Sequence, residues 1–114
     1  MSKVKEAVLA IFFTLFALST FAQTGSVRGR IIDAKTKKPL EFVNVSIRTT
    51  GTQTPLTGTV SDSTGVFRIN RVKNGTYTLT ASFIGYKSVE KEFTISPTAR
   101  NVNVKNILLE EDSQ

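Results

Sequence analysis

The chain has 114 residues, with 15 Lys and Arg against 9 Asp and Glu and a formal net charge of +6. It contains no Cys, no His and no Trp. Thiol nucleophiles, disulfides, zinc sites built from Cys and His, and acid–base catalysis by imidazole are therefore excluded. The length is that of a single domain, so its core must hold without covalent cross-links.

Residues 1–22 have the order of a secretory signal peptide. Lys3 and Lys5 precede an apolar run over residues 7–18, and small residues then lead to Ala22. The run is shorter than the roughly 20 apolar residues that span a bilayer, and polar residues 23–26 follow it. We therefore predict cleavage after Ala22 and export, rather than an uncleaved membrane anchor. No Cys stands at the cleavage point, which excludes a lipoprotein anchor.

Beyond residue 22, apolar and polar side chains alternate with a period of two, which is typical of strands with one buried face. In chain order the alternation predicts strands over residues 27–31, 43–48, 57–61, 66–70, 77–86, 89–95 and 102–109. Spacings of about 8 to 12 residues, with turn residues between them, favour an all-β, antiparallel, seven-stranded β-sandwich. The predicted domain covers residues 23–109, and residues 110–114 form a predicted acidic tail.

Aspartate and glycine mark the predicted turns. Asp62 precedes Gly65 by three positions, so its carboxylate can accept hydrogen bonds from backbone N–H groups while Gly65 supplies a positive φ. Gly85 interrupts the long fifth strand, and we expect it to redirect the chain there. The rings expected in the core are those of Phe67, Tyr77, Phe83 and Phe93.

No group of residues has the pattern of a catalytic, metal or cofactor site. Glu90 and Glu92 share one strand face, but Lys87 and Lys91 flank them as on a solvated surface, whereas a glycosidase needs carboxylates facing each other across a bond. Asp62 lacks the further oxygen ligands that a calcium loop needs, and a serine nucleophile would lack a histidine base. We therefore predict no catalytic residue, no metal and no cofactor, and a protein that is not an enzyme.

The basic excess is the compositional feature that bears on partners. Nucleic acid is the usual ligand of a basic domain, but export separates this chain from it, so we predict no nucleic-acid partner. The charges fall on outward strand positions and turns, as on a surface that maintains solubility, with an anionic membrane surface as the alternative. The residues concerned are Arg28, Arg30, Lys35, Lys37, Lys38, Arg48, Arg68, Arg71 and Lys73.

An ordered series of residues resembles the carboxypeptidase regulatory-like domain. The series starts with Gly29 between two apolar positions and continues through the Lys-Pro-Leu of residues 38–40 and the turn of residues 62–65. It ends with the Ser-Phe-Ile-Gly-Tyr-Lys of residues 82–87. The resemblance covers about residues 26–109 and implies a transthyretin-like Greek-key sandwich in which Gly29, Gly65 and Gly85 are structural. Domains of that family hold no zinc and no catalytic residue.

The resemblance also implies a function, because such domains often follow the signal peptide of TonB-dependent outer-membrane receptors, including importers of glycans. It implies a non-catalytic exported module like the periplasmic extension of a receptor, membrane-associated through the receptor's plug or barrel or through another envelope component. The alternative is a free-standing secreted module resembling carbohydrate-binding domains, for which Phe42 and Tyr86 are the rings expected to be exposed. The sequence leaves open whether the chain is the leading piece of a receptor.

Overall fold

The computed structural model describes residues 23–112. The predicted signal peptide, residues 1–22, and the last two residues of the predicted acidic tail lie outside the described residues. Every regular element of the described part is a strand. No helix of that part is long and apolar enough to cross a membrane.

Seven strands form, as the alternation predicts. β2 shows why the pattern succeeds: Val45 and Ile47 are buried, whereas Asn44 is exposed and Ser46 and Arg48 are half-buried. The apolar side chains face the opposite sheet and the polar ones face solvent. The strands are β1 Thr24–Asp33, β2 Asn44–Thr49, β3 Thr57–Val60, β4 Val66–Lys73, β5 Gly75–Ser82, β6 Val89–Ile95 and β7 Asn101–Leu109.

The strands form two sheets, a three-stranded one with the order β4-β1-β7 and a four-stranded one with the order β3-β2-β5-β6. Neighbouring strands are antiparallel except β1 and β7, which pair in parallel. Four of the five pairs are antiparallel, as predicted, and this one pair departs from the prediction. The alternation of apolar residues indicates which face of a strand is buried, but it contains no information about the direction of the neighbouring strand.

The core lies between the two sheets. Phe67, Tyr77 and Phe93 are buried there as predicted, and the last two rings stack with centroids 5.5 Å apart. Gly29 faces the same space, because a Cβ at this position would lie 2.8 Å from the ring of Phe67 and 2.7 Å from a methyl group of Val104. The missing side chain therefore lets the Phe67 ring approach the backbone of β1.

The end of the fifth strand differs from its prediction. β5 ends at Ser82, and residues 83–86 form a tight turn in which the N–H of Tyr86 donates to the carbonyl of Phe83 at 3.1 Å. Gly85 has a φ of 87° in this turn, a conformation that favours glycine. Phe83 is consequently only partly buried and packs against the edge of the core instead of filling it.

Candidate functional site

The turn between β3 and β4 is built around the carboxylate of Asp62. Its Oδ1 accepts hydrogen bonds from the N–H groups of Thr64 at 2.9 Å and Val66 at 3.0 Å, and from the Thr64 hydroxyl at 2.6 Å. These bonds, the one from the Thr64 hydroxyl above all, lower the pKa of Asp62. Gly65 follows with a φ of 80°, and a side chain there would collide with the carbonyl of Ile31. The turn therefore has a structural role.

Tyr86 lies where three segments of the chain meet. Its hydroxyl donates to Oδ2 of Asp33 at 2.6 Å, and its ring packs against that of Phe83 with centroids 5.7 Å apart. The other carboxylate oxygen of Asp33 accepts from the N–H groups of Lys35 at 2.8 Å and Thr36 at 2.9 Å. Tyr86 is half-buried as a result, which differs from the expectation that it presents an open ring to a glycan.

The first residues of the predicted acidic tail belong to the same junction. The N–H of Lys87 donates to the carbonyl of Glu110 at 2.9 Å, and the N–H of Asp112 donates to the carbonyl of Gly85 at 2.8 Å. The Lys87 ammonium also lies 3.9 Å from the Glu110 carboxylate. Residues 110–112 are thus paired with residues 85–87, and the domain extends beyond its predicted boundary at residue 109.

The bond between Tyr86 and Asp33 shifts two acids in opposite directions. The Tyr86 hydroxyl, followed by the N–H of Thr36, lowers the pKa of Asp33 from 3.8 to about 2. The same bond raises the pKa of Tyr86 to about 12, and burial and the charges of Asp33 and Glu111 add to the effect. A catalytic acid or base has its pKa near the working pH. This pair is shifted away from neutrality, and its 2.6 Å hydrogen bond joins residues 53 positions apart, so we call Tyr86 and Asp33 the clamp.

Near the clamp, one end of the four-stranded sheet exposes three apolar side chains. Phe42 is 67 % exposed, Val60 is 49 % exposed and Ile84 is 96 % exposed. The register pairs Val60 with Asn44 and Asn44 with Ser82, which brings all three side chains to the same end of β3, β2 and β5. We call Phe42, Val60 and Ile84 the apolar end. Single exposed apolar residues are common, but grouped ones mark interaction surfaces.

Phe42 also has an unusual backbone, with a φ of 65°. Left-handed backbone costs a non-glycine residue about 1–2 kcal/mol. The conformation is held from both sides, because the N–H of Phe42 donates to the carbonyl of Ser61 at 2.9 Å and the N–H of Val43 donates to the Ser61 hydroxyl at 3.0 Å. Ser61 in turn donates to the carbonyl of Leu40 at 2.6 Å. A bulky exposed ring in strained backbone is the kind of local conflict that concentrates at functional sites.

Replacing Phe42 with glycine is expected to raise the free energy of unfolding by about 0.5–1 kcal/mol. Glycine adopts the left-handed φ without strain, the exposed ring contributes little packing, and the greater freedom of glycine in the unfolded chain offsets part of the gain. Urea denaturation measures the difference. The neighbouring variant Glu41→Gly is the control and should lose stability, since its φ is not positive. A loss at Phe42 as well would show that the ring stabilises the fold.

The outer face of the four-stranded sheet holds Glu90, one of the two carboxylates considered for catalysis. It lies 3.3 Å from the guanidinium of Arg48, which also donates to the hydroxyl of Thr80 at 3.1 Å. Glu92 projects from the same exposed face of β6, so the two carboxylates do not face each other across a cleft. Among residues 23–112, no group of three or more acidic side chains is placed to hold a metal ion.

The outer face of the three-stranded sheet is cationic. Arg28 and Arg30 project from β1, and Arg68 projects from β4 directly opposite Arg28. Lys105 of β7 joins them, and all four side chains are exposed. We call these four residues the arginine face. The sequence predicted charge dispersed for solubility, whereas the strand register gathers these residues on one surface.

Nearly all of the described sandwich matches a single family model, that of the CarboxypepD_reg-like domain, over residues 27–114. The chain belongs to this family. The match confirms the predicted resemblance, and it covers the strands, the Asp62 turn and the clamp together. The CarboxypepD_reg-like domain is a family of non-catalytic modules. A comparison with curated protein sequences finds no match.

Solved structures that share the fold of this CarboxypepD_reg-like domain include pilins and an enzyme. The group B streptococcus pilus 2b backbone protein has a TM-score of 0.63 and 17 % identity, over 79 % of this chain and 42 % of that one. BcpA, the major pilin subunit of Bacillus cereus, has a TM-score of 0.64 and 17 % identity, over 79 % and 31 %. The Klebsiella pneumoniae 5-hydroxyisourate hydrolase has a TM-score of 0.57 and 21 % identity, over 77 % and 88 %.

These likenesses establish the fold alone, and the chain spans less than half the length of the two pilins. They confirm a transthyretin-like sandwich, since the domain and the hydrolase match over most of both chains.

Sequence reasoning missed two features of the CarboxypepD_reg-like domain. The exposure of Ile84 was not predicted, although the alternation indicates it. The buried residues of β5 have odd numbers, so the same alternation places residue 84 on the outer side. The sequence indicated part of the arginine face, because Arg28 and Arg30 are two positions apart and therefore lie on the same side of β1. The position of Arg68 beside them depends on the pairing of β1 with β4, which no local sequence pattern indicates.

Proposed function

We propose that the protein is a non-catalytic, exported interaction module that docks a protein partner in the periplasm through its apolar end. The observation that carries the proposal is Phe42, whose ring is 67 % exposed on backbone with a φ of 65°. Covering apolar surface gains about 25 cal/mol per Å². A ring held outward at a conformational cost recovers that cost when a partner covers it, and Val60 and Ile84 extend the contact.

The partner that we favour is the plug or barrel of a TonB-dependent outer-membrane receptor, of which this domain would be the amino-terminal periplasmic extension. The predicted signal peptide and the family support this assignment. The position of residues 110–112 supports it as well, because they pair with residues 85–87 beside Ile84. A receptor segment that followed them would leave the sandwich next to the apolar end.

Glycan binding by stacked rings, the alternative, is less well supported. Stacking platforms use open aromatic faces. Of the rings in residues 23–112, only that of Phe42 is exposed; Tyr86 is half-buried and its hydroxyl is bound to Asp33. A single exposed ring does not form such a platform, and it is better suited to an apolar pocket on a protein partner.

Photo-crosslinking in the producing cells tests this proposal. A photoreactive phenylalanine analogue at position 84 is expected to yield one predominant crosslink, which mass spectrometry of the crosslinked peptides locates in the plug or barrel of a receptor, either within the same polypeptide or in a separate envelope protein. The matched control carries the analogue at Gln53, an exposed position in the loop that follows β2, at the opposite end of the sheet.

The possible outcomes distinguish docking through the apolar end from docking to a TonB-dependent receptor in particular. An adduct from position 84 alone with an envelope protein that lacks a barrel would keep the docking module and remove the receptor. No adduct at position 84, or the same adducts from both positions, would refute docking through the apolar end.

A further inference from the structure

The arginine face concentrates positive charge without a balancing acid. Arg28 and Arg68 are register partners on neighbouring strands, and like charges in this position repel each other. The ion pairs of Arg48 with Glu90 and of Lys87 with Glu110 lie elsewhere. A surface selected only for solubility mixes both signs. This face therefore carries a repulsion that an external anion would relieve.

The guanidinium groups are also free to bind. The guanidinium groups of Arg28 and Arg68 make no hydrogen bond within the described residues, and that of Arg30 uses only its Nε, which donates to the carbonyl of Thr64 at 2.9 Å. The outer face of the other sheet differs, because Arg48 there is engaged by Thr52, Thr80 and Glu90. The forked N–H groups of arginine match the two oxygens of a carboxylate.

A groove and a β-bulge lie next to each other on this face. The pairing of β1 with β7 shifts register between Arg28 and Arg30, and Lys105 has a φ of 64° at the shift. The N–H of Lys105 donates to the side-chain oxygen of Asn103 at 2.9 Å, which fixes the bulge. Bulges redirect side chains next to binding sites. The groove has a volume of about 380 Å³ and is lined by Arg28, Gly29, Arg30, Val66, Asn103, Lys105 and Asn106. Arg68 is not part of this lining and lies opposite Arg28 on the neighbouring strand.

The lining indicates the class of ligand. It contains no carboxylate, so the groove selects an anion. Asn103 and Asn106 lie beside the cations, and side-chain amides both donate to and accept from hydroxyl groups. An acidic peptide fits less well, because β1 is the central strand of its sheet and is paired on both sides. A peptide lying across that face would have no strand edge for its backbone N–H groups.

We propose that the arginine face binds an acidic polysaccharide, holding its carboxylates with the guanidinium groups and its hydroxyls with Asn103 and Asn106. Neighbouring strand backbones lie about 5 Å apart, and the Cα atoms of alternate residues along a strand lie about 7 Å apart, so the long side chains of the arginine face start from closely spaced positions. A chain with a carboxylate on each sugar can therefore contact several of them at once, and the contacts reinforce one another. This site is separate from the apolar end and goes beyond the proposed docking function.

Calorimetric titration with hexagalacturonic acid tests the site, with neutral maltohexaose as the comparison ligand. The full chain is expected to bind the acidic hexamer and not the neutral one, with affinity that falls as salt rises. The double variant Arg28→Gln/Arg68→Gln should bind at least on the order of tenfold more weakly. The matched control Lys35→Gln/Lys37→Gln removes the same charge from the exposed loop after β1 and should change affinity less than about twofold.

Thermal unfolding shows that each variant is folded, and the arginine variant should be no less stable than the wild type because a repulsion has been removed. Equal losses in both double variants would overturn the proposal in favour of general charge attraction. Absence of binding to hexagalacturonic acid at low salt would overturn it as well, and polyglutamate or vesicles containing phosphatidylglycerol would then identify an acidic peptide or a membrane as the ligand.

Discussion

The Gly29→Ala variant is expected to lose about 1–3 kcal/mol of unfolding free energy. The new methyl group would lie 2.8 Å from the ring of Phe67 and 2.7 Å from Val104, closer than side-chain carbons approach in folded proteins. Both neighbours are buried, at 2 % and 6 % exposure, so neither can move aside into solvent. Domains have about 0.05–0.15 kcal/mol of stability per residue, so this is a large fraction of the total.

A double-mutant cycle with Phe67→Leu isolates the contact. Phe67→Leu alone should also destabilise, because it leaves part of the ring's space empty. In the Phe67→Leu background, Gly29→Ala should cost less than in the wild type, since the smaller side chain makes room for the methyl group. Chemical denaturation of the four proteins measures the coupling. Strictly additive effects would mean that the cost at Gly29 arises from Val104 or from the backbone of β1 and not from the ring.

The role of Gly29 was predictable because it follows from nearby positions in the sequence. A glycine at an inward position of an alternating strand indicates that another group approaches the strand backbone closely. The seven strands were predictable for a similar reason. Apolar residues at every second position of β2 or β4 have one geometric explanation, a strand with a buried face. The Asp62 turn was predictable because its bonds span at most four residues.

Apart from Ile84 and the turn that ends β5, the features that were not predicted depend on pairing between distant segments. Asp33 and Tyr86 are 53 positions apart, and nothing in the alternation around Tyr86 distinguishes an exposed ring from one that is clamped. The parallel pairing of β1 with β7 and the register of Arg28 with Arg68 have the same origin. Local patterns specify which face of each strand is buried, whereas the assembly of the strands decides which exposed side chains become neighbours.

The clamp between Tyr86 and Asp33 should make the stability of the domain depend on pH at both extremes. The folded pKa of Asp33 is lowered from 3.8 to about 2, so its contribution is present above pH 3.8 and is lost as the pH falls toward 2. The folded pKa of Tyr86 is raised from 10.0 to about 12, so its contribution is present below pH 10.0 and is lost as the pH rises toward 12.

The Tyr86→Phe variant is therefore expected to be less stable than the wild type by an amount that is constant at intermediate pH and shrinks at both ends. Tyr77→Phe is the matched control. The Tyr77 hydroxyl donates to the backbone carbonyl of Lys73 at 2.7 Å, and that acceptor does not titrate. In acid, the stability lost by Tyr77→Phe should stay constant over the range in which the loss at Tyr86 declines. Unfolding free energies of the three proteins, measured by urea denaturation from pH 2 to pH 12, provide the comparison. Parallel profiles for the two variants would show that the carboxylate of Asp33 does not stabilise the junction through Tyr86.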